Sequence, residues 1–291
     1  MHLLNEKIRY NLKNGYSVGS LENCLHSYIK FLSGENIRFW AICGLSSISF
    51  SAVMDRDFNY IKISALKEFS DISARNVLNG FGFSFDIIKK FGGVYGEHYF
   101  MDRITQNILM GEPTAVYICD SWYFVAGINI TQNSIYIIPW DKPQCLEVVN
   151  NWYQKINKML IIKINNKDFN YDKICLKVLT DIQGSFGRAY IGGKYMNLKV
   201  FDELENTMDL NKARNFLDRF LPDRQYLLKL FNYLNDNELL LTEKRIQSCL
   251  NKIKNLSCYN NYKNYIYYVD KLKKNMKYQI SLINAFMEEH V

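Results

Sequence analysis

Residues 111–141, GEPTAVYICDSWYFVAGINITQNSIYIIPWD, decide the fold class. Three runs rich in β-branched and aromatic residues, Thr114–Cys119, Trp122–Ile130 and Ser134–Trp140, follow one another with short polar breaks. Thr131-Gln132-Asn133 between the last two predicts a β-hairpin with a short loop. Strands this apolar need cover, so the flanking sequence is read for helices.

Upstream, Leu25, Tyr28, Ile29 and Leu32 recur at the i, i+3, i+4, i+7 spacing of one helix face. Ser20 and Asn23 are candidate caps, and Gly34 a stop. Helical pattern returns at 71–79, 84–91 and 101–110. Residues 8–12 read as a short strand ending at Asn14-Gly15, and Phe39–Phe58 as a packed loop with short strands. Downstream, Leu160–Ile164 is the last expected strand. From about residue 172, apolar stripes predict helices over 172–183, 194–208, 212–221, 224–235, 242–256 and 262–287, with Pro222-Asp223 as a break. The expected class is α+β, with an α+β domain over 1–170. A helical region over 171–291 packs on it or forms a partner-binding domain.

The chain has 291 residues, 48% hydrophobic and 22% charged, which excludes wholesale disorder. No apolar run reaches about 18 residues, so no membrane partner is expected. The N-terminal MHLLNEKIRYNLKNGYS lacks the pattern of a signal peptide. Seven cysteines, with no C-x-x-C, sit mostly among apolar residues, as small hydrophobes do in a reducing compartment; the cytoplasm is the expectation. Of the net charge of +7, +6 lies in residues 212–291. That excess is either a solvated face or a docking surface for an acidic partner. No nucleic-acid-binding motif accompanies it, so nucleic acid is not expected as a partner.

Four histidines, His2, His26, His98 and His290, and no cysteine pair at metal spacing give no basis for a zinc site. No glycine-rich phosphate loop occurs, so no bound cofactor or metal is expected. Cys24 opens the predicted helix, where free N–H groups and the helix dipole favour a thiolate. A thiolate so placed attacks a thioester or amide carbonyl. His26, two residues on, faces about 200° away on a helix. His98 reaches Cys24 only if its loop folds over the site. Asp120 follows a strand and lines either a cleft or a turn; Trp40, Trp122 and Trp140 line either an acyl pocket or the core.

The run SLENCLHSYIKFLSGENIRFWAICGLSSISFSAVM (20–54) resembles the butirosin biosynthesis protein H family, which has a papain-like cysteine-peptidase fold. The resemblance continues through GEPTAVYICDSWYF (111–124) and GSFGRAYIGGKYMNLKVFDELENTM (184–208). It implies acyl transfer from a phosphopantetheine thioester on an acyl or peptidyl carrier protein, through Cys24, onto an amine acceptor. It also implies Asp141 as the orienting carboxylate; the candidate substrate-binding residues are Asn23, Trp40, Asp120, Trp122 and Tyr123, each with a core or turn role as the alternative. Where the family places its histidine, this chain has Trp122 or Tyr123, which leaves His98 as a surrogate base. Two readings follow: an acyltransferase or amide synthetase of specialised metabolism, or a non-catalytic scaffold that binds a carrier protein or partner enzyme. The long terminal stretch is open to packing in cis or to a homodimer.

Overall fold

The computed structural model describes residues 2–12, 20–139, 145–163, 169–191, 193–206, 209–256 and 262–290. It divides into two units, one of Met1–Arg38 with Lys67–Phe169, the other of Phe39–Leu66 with Asn170–Val291. The segment 39–66, expected within the first domain, is thus grouped with the helical half. The fold class is α+β with antiparallel sheets.

The first unit contains β1 (His2–Leu3), α1 (Glu6–Asn11), α2 (Ser20–Ser33), α4 (Lys67–Gly80), β3 (Ser84–Lys89) and α5 (Gly93–Met110). These are followed by β4 (Thr114–Ile118), β5 (Ser121–Asn129), β6 (Ser134–Ile138), β7 (Glu147–Asn150), α6 (Trp152–Lys155) and β8 (Ile156–Lys163). Among the described residues the strands form one antiparallel sheet in the order β3-β8-β4-β5-β6-β7, with β1 alongside β5. β4 is buried at every position and β5 from Phe124 to Ile128. Strands buried on both faces need cover on both, and α2 and α5 both pack on β5.

Single residues set this arrangement. Tyr28 of α2 donates its hydroxyl to Pro113 O and accepts from Ile162 N–H at 3.3 Å, tying the helix to β4 and β8. Gly111 ends α5 in the left-handed conformation, where a glycine carries no steric penalty. At Gly127 a Cβ would meet His2 O at 2.7 Å, so only glycine lets β1 pair with β5.

In the second unit, α3 (Phe39–Leu45), β2 (Val53–Met54) and a 3-10 turn (Ile63–Ala65) precede α7 (Tyr171–Phe186). Then come β9 (Tyr190–Ile191), β10 (Lys194–Met196), α8 (Leu198–Asn206), α9 (Leu210–Leu234), α10 (Asn237–Leu256) and α11 (Tyr262–His290). β2, β10 and β9 make a small antiparallel sheet. An apolar core runs from Met54 and Phe201 through Phe216 and Phe220 to Leu250, Val269 and Met276. Within it, Arg224 of α9 forms a bidentate pair with Glu243 of α10, both bonds 2.9 Å, and Gln279 of α11 bonds to both. The network satisfies every charge it buries and fixes the register of three helices.

Several expected elements differ. Residues 8–12 lie largely in helix α1, not a strand. Residues 84–91 contain strand β3, not a helix: Phe85, Ile87 and Ile88 fit either period, and six-residue pairing with β8 decides between them. The segment 194–208 splits into β10 and α8, and 39–58 contains helix α3. Pro222 lies inside α9 rather than ending it. A proline costs the helix one hydrogen bond. Anchors on the next two residues offset it: Asp223 to Tyr60 (2.9 Å) and Lys62 (3.1 Å), and Arg224 to Glu243.

Candidate functional site

Helix α2 runs through the first unit with Leu21 to Ile29 buried without interruption. Cys24 is its fifth residue, not its opening one. The backbone N–H groups left free by a helix lie in its first turn, and Cys24 lies beyond it. The thiol is 3% exposed, and burial pushes its pKa far above the ordinary thiol value with no charged neighbour offsetting it. Burial of this kind disfavours the thiolate, and a free cysteine so placed packs as a small hydrophobe.

The first residue of α2 lies against the first residues of β5. The Trp122 backbone N–H donates to Ser20 Oγ at 3.1 Å. Trp122 is 1% exposed, its ring 5.4 Å from that of Tyr117. Beside both rings lies the ammonium of Lys158, 4.5 Å from the Tyr117 centroid and 5.5 Å from that of Trp122. Lys158 is buried, ion-paired to Asp71 and hydrogen-bonded to Ser70 Oγ. The cation over the aromatic faces and the carboxylate beside it together make this burial tolerable. Tyr117 donates to Asp120 Oδ1 at 3.4 Å, and burial, with the Asp120 charge second, pushes its pKa up to about 12.

Cys119 and Asp120 make the two-residue β4–β5 turn with φ of 47° and 61°. Both are left-handed, as a type I′ hairpin turn requires. Asp120 is therefore an exposed turn residue, and Tyr123 is half-buried opposite Val116 of β4. Asn23 is buried beside Cys24 in the sequence of α2. His98 is exposed, the sixth residue of helix α5 and not in a loop. His26 is buried, its Nε2 3.0 Å from Ile37 O; burial and then the Lys30 charge lower its pKa against the opposing effect of that bond. Trp40 belongs to the second unit, packed against Tyr171 and Tyr233 at 5.9 and 5.2 Å between ring centroids. Asp141 and Trp140 lie outside the described residues.

Of the residues expected at the site, Asn23 and Cys24 share helix α2, while Asp120, Trp122 and Tyr123 share the β4–β5 hairpin. The Lys158, Asp71 and Ser70 cluster was not anticipated. Its signal was Lys158 itself, a charge between Ile156 and Leu160 on one face of an apolar strand. Among the described residues, no three His, Cys, Asp or Glu side chains converge as a metal site would need. No described helix is long and apolar enough to cross a membrane. No family model matches the chain, and no curated protein matches it in sequence.

Proposed function

We propose that this chain is a papain-like scaffold whose cysteine centre no longer performs chemistry, and that it acts by binding a carrier protein or partner enzyme. The burial of the Cys24 thiol within α2 carries this reading. A nucleophile must be ionised and reachable; a thiol 3% exposed with a strongly raised pKa is neither. The indole of Trp122 stands near the start of β5, where the family resemblance places an imidazole, and an indole accepts no proton there. The free thiols at Cys24, Cys43, Cys119, Cys145, Cys175 and Cys249 support a reducing, cytoplasmic setting.

One observation favours the alternative, a cysteine-dependent acyltransferase passing an acyl group from a carrier-bound phosphopantetheine thioester through Cys24 to an amine. The Ser20–Trp122 contact joins the cysteine-bearing helix to the strand expected to bear the histidine. Incubation with acyl-pantetheine thioesters and acyl-carrier proteins, followed by intact mass analysis beside Cys24→Ala, separates the two. Binding without a Cys24-dependent mass increase supports the scaffold. An acyl adduct on the wild type alone overturns it.

A further inference from the structure

Helix α11 carries charge that the fold does not use. Between Tyr262 and Tyr278 it has five lysines and one acidic residue, Asp270. Lys273 turns inward to Asp202 at 3.0 Å and Glu205 at 2.6 Å of α8. Lys263, Lys271, Lys274 and Lys277 are exposed, and no ion pair holds them among the described residues. At 3.6 residues per turn, these four, Tyr267 and the exposed Asp270, whose carboxylate lies 3.8 Å from Lys273, fall within a face roughly 120° wide and about 21 Å long, basic by four charges to one. Tyr267 is 57% and Ile266 41% exposed, giving the face an apolar contact. Lys252 of α10, exposed and bonded to Tyr268 at 3.2 Å, extends it. At its far end Tyr278 bonds Glu238 of α10.

From this face we infer a docking surface for an acidic amphipathic helix of a partner protein. Lys271, Lys274 and Lys277 repeat every three residues, about 4.5 Å along the axis. Asp and Glu at i, i+3, i+4 and i+7 of a facing helix match that step. Nucleic acid fits less well: the face is the convex side of one helix, and its cations are lysines, without the arginine fork suited to phosphate. A second copy fits poorly too, since antiparallel pairing centred on Lys271 and Lys274 sets lysine against lysine. The inference rests on the binding reading only in taking the partner to be a protein, and it names that partner's chemistry.

The test uses the full chain and a fluorescein-labelled amphipathic peptide with glutamates at i, i+3, i+4 and i+7, read by anisotropy. Binding at low salt should weaken toward about 0.15 M salt. Lys271→Glu with Lys274→Glu should weaken it roughly tenfold or more, as charge reversal at a complementary surface does. Lys263→Glu with Lys277→Glu serves as the second variant, and circular dichroism verifies both folds. Cys24→Ala should bind as the wild type does. No peptide binding at low salt, unchanged binding by both double variants, or tighter binding of an equally charged oligo(dT) overturns the inference. A Cys24 acyl adduct with peptide binding intact would overturn the scaffold reading alone.

Discussion

The Trp122 backbone N–H donates to Ser20 Oγ over 3.1 Å, joining the first residue of α2 to the second of β5. An expected cysteine helix and an expected histidine strand therefore meet, with an indole at their junction. Replacing Trp122 with His tests whether the missing base is the whole deficit. It should leave Cys24 unreactive, because the thiol is buried independently of any base. It should also cost about 3 kcal/mol, since it removes a large buried ring beside Tyr117 and Lys158. Denaturant melts and peptide mapping after iodoacetamide measure the two effects.

Thiol reactivity should sort by burial rather than by sequence neighbourhood. Cys119 and Cys145 are exposed, whereas Cys24, Cys43, Cys175 and Cys249 are buried. In the native protein the first two should label fast and the other four only on opening of the structure. Timed alkylation with peptide mapping checks this.

His26 predicts a specific pH dependence of stability. Its folded pKa lies below the ordinary 6.5 because burial disfavours the imidazolium. Above pH 6.5 the imidazole is neutral in both states, and the full contribution is present. As pH falls through 6.5 the unfolded chain binds a proton that the native site refuses, so stability declines until the pH has passed the folded pKa. His26→Gln should flatten this part of the curve in urea titrations at stepped pH.

The buried Arg224–Glu243–Gln279 network should show asymmetric mutational costs. Arg224→Ala leaves Glu243 buried without its bidentate partner and should cost about 3–5 kcal/mol. Replacing all three with apolar residues of similar volume should restore most of that loss. Thermal melts of the single and triple variants decide.

Gly96 tolerates no side chain. A Cβ there would collide with the backbone oxygen of Phe91 and the hydroxyl of Tyr153, which are themselves hydrogen-bonded. Gly96→Ala should cost roughly 1–3 kcal/mol, the range of overpacked sites, because a backbone atom cannot move aside cheaply. A denaturation midpoint unchanged from the wild type would contradict this.

The β4–β5–β6 meander was legible in the sequence because its strands are apolar and its turns polar. Helices α7, α10 and α11 were legible from their stripes, whereas 194–208 and the two stripes around Pro222 were read with the wrong boundaries. Strand β3 was not, since SFDIIK satisfies two periods and only pairing with β8 selects one. Pro222 misled because its local penalty is visible in sequence, while the anchors of Asp223 and Arg224 lie far along the chain. At the site, Cys24 was identifiable as a helix residue, but its depth in α2 was not. That depth depends on where the helix begins, and Ser20 starts it four residues earlier than a cysteine at the helix opening requires.

The most direct test of the central claim is the rate of Cys24 alkylation in the native protein as a function of pH, with Cys119 as the internal reference. A buried, protonated thiol predicts a rate far below that of Cys119, rising with added denaturant as the structure opens. Fast alkylation of Cys24 that saturates near neutral pH would reveal an accessible thiolate and contradict the account.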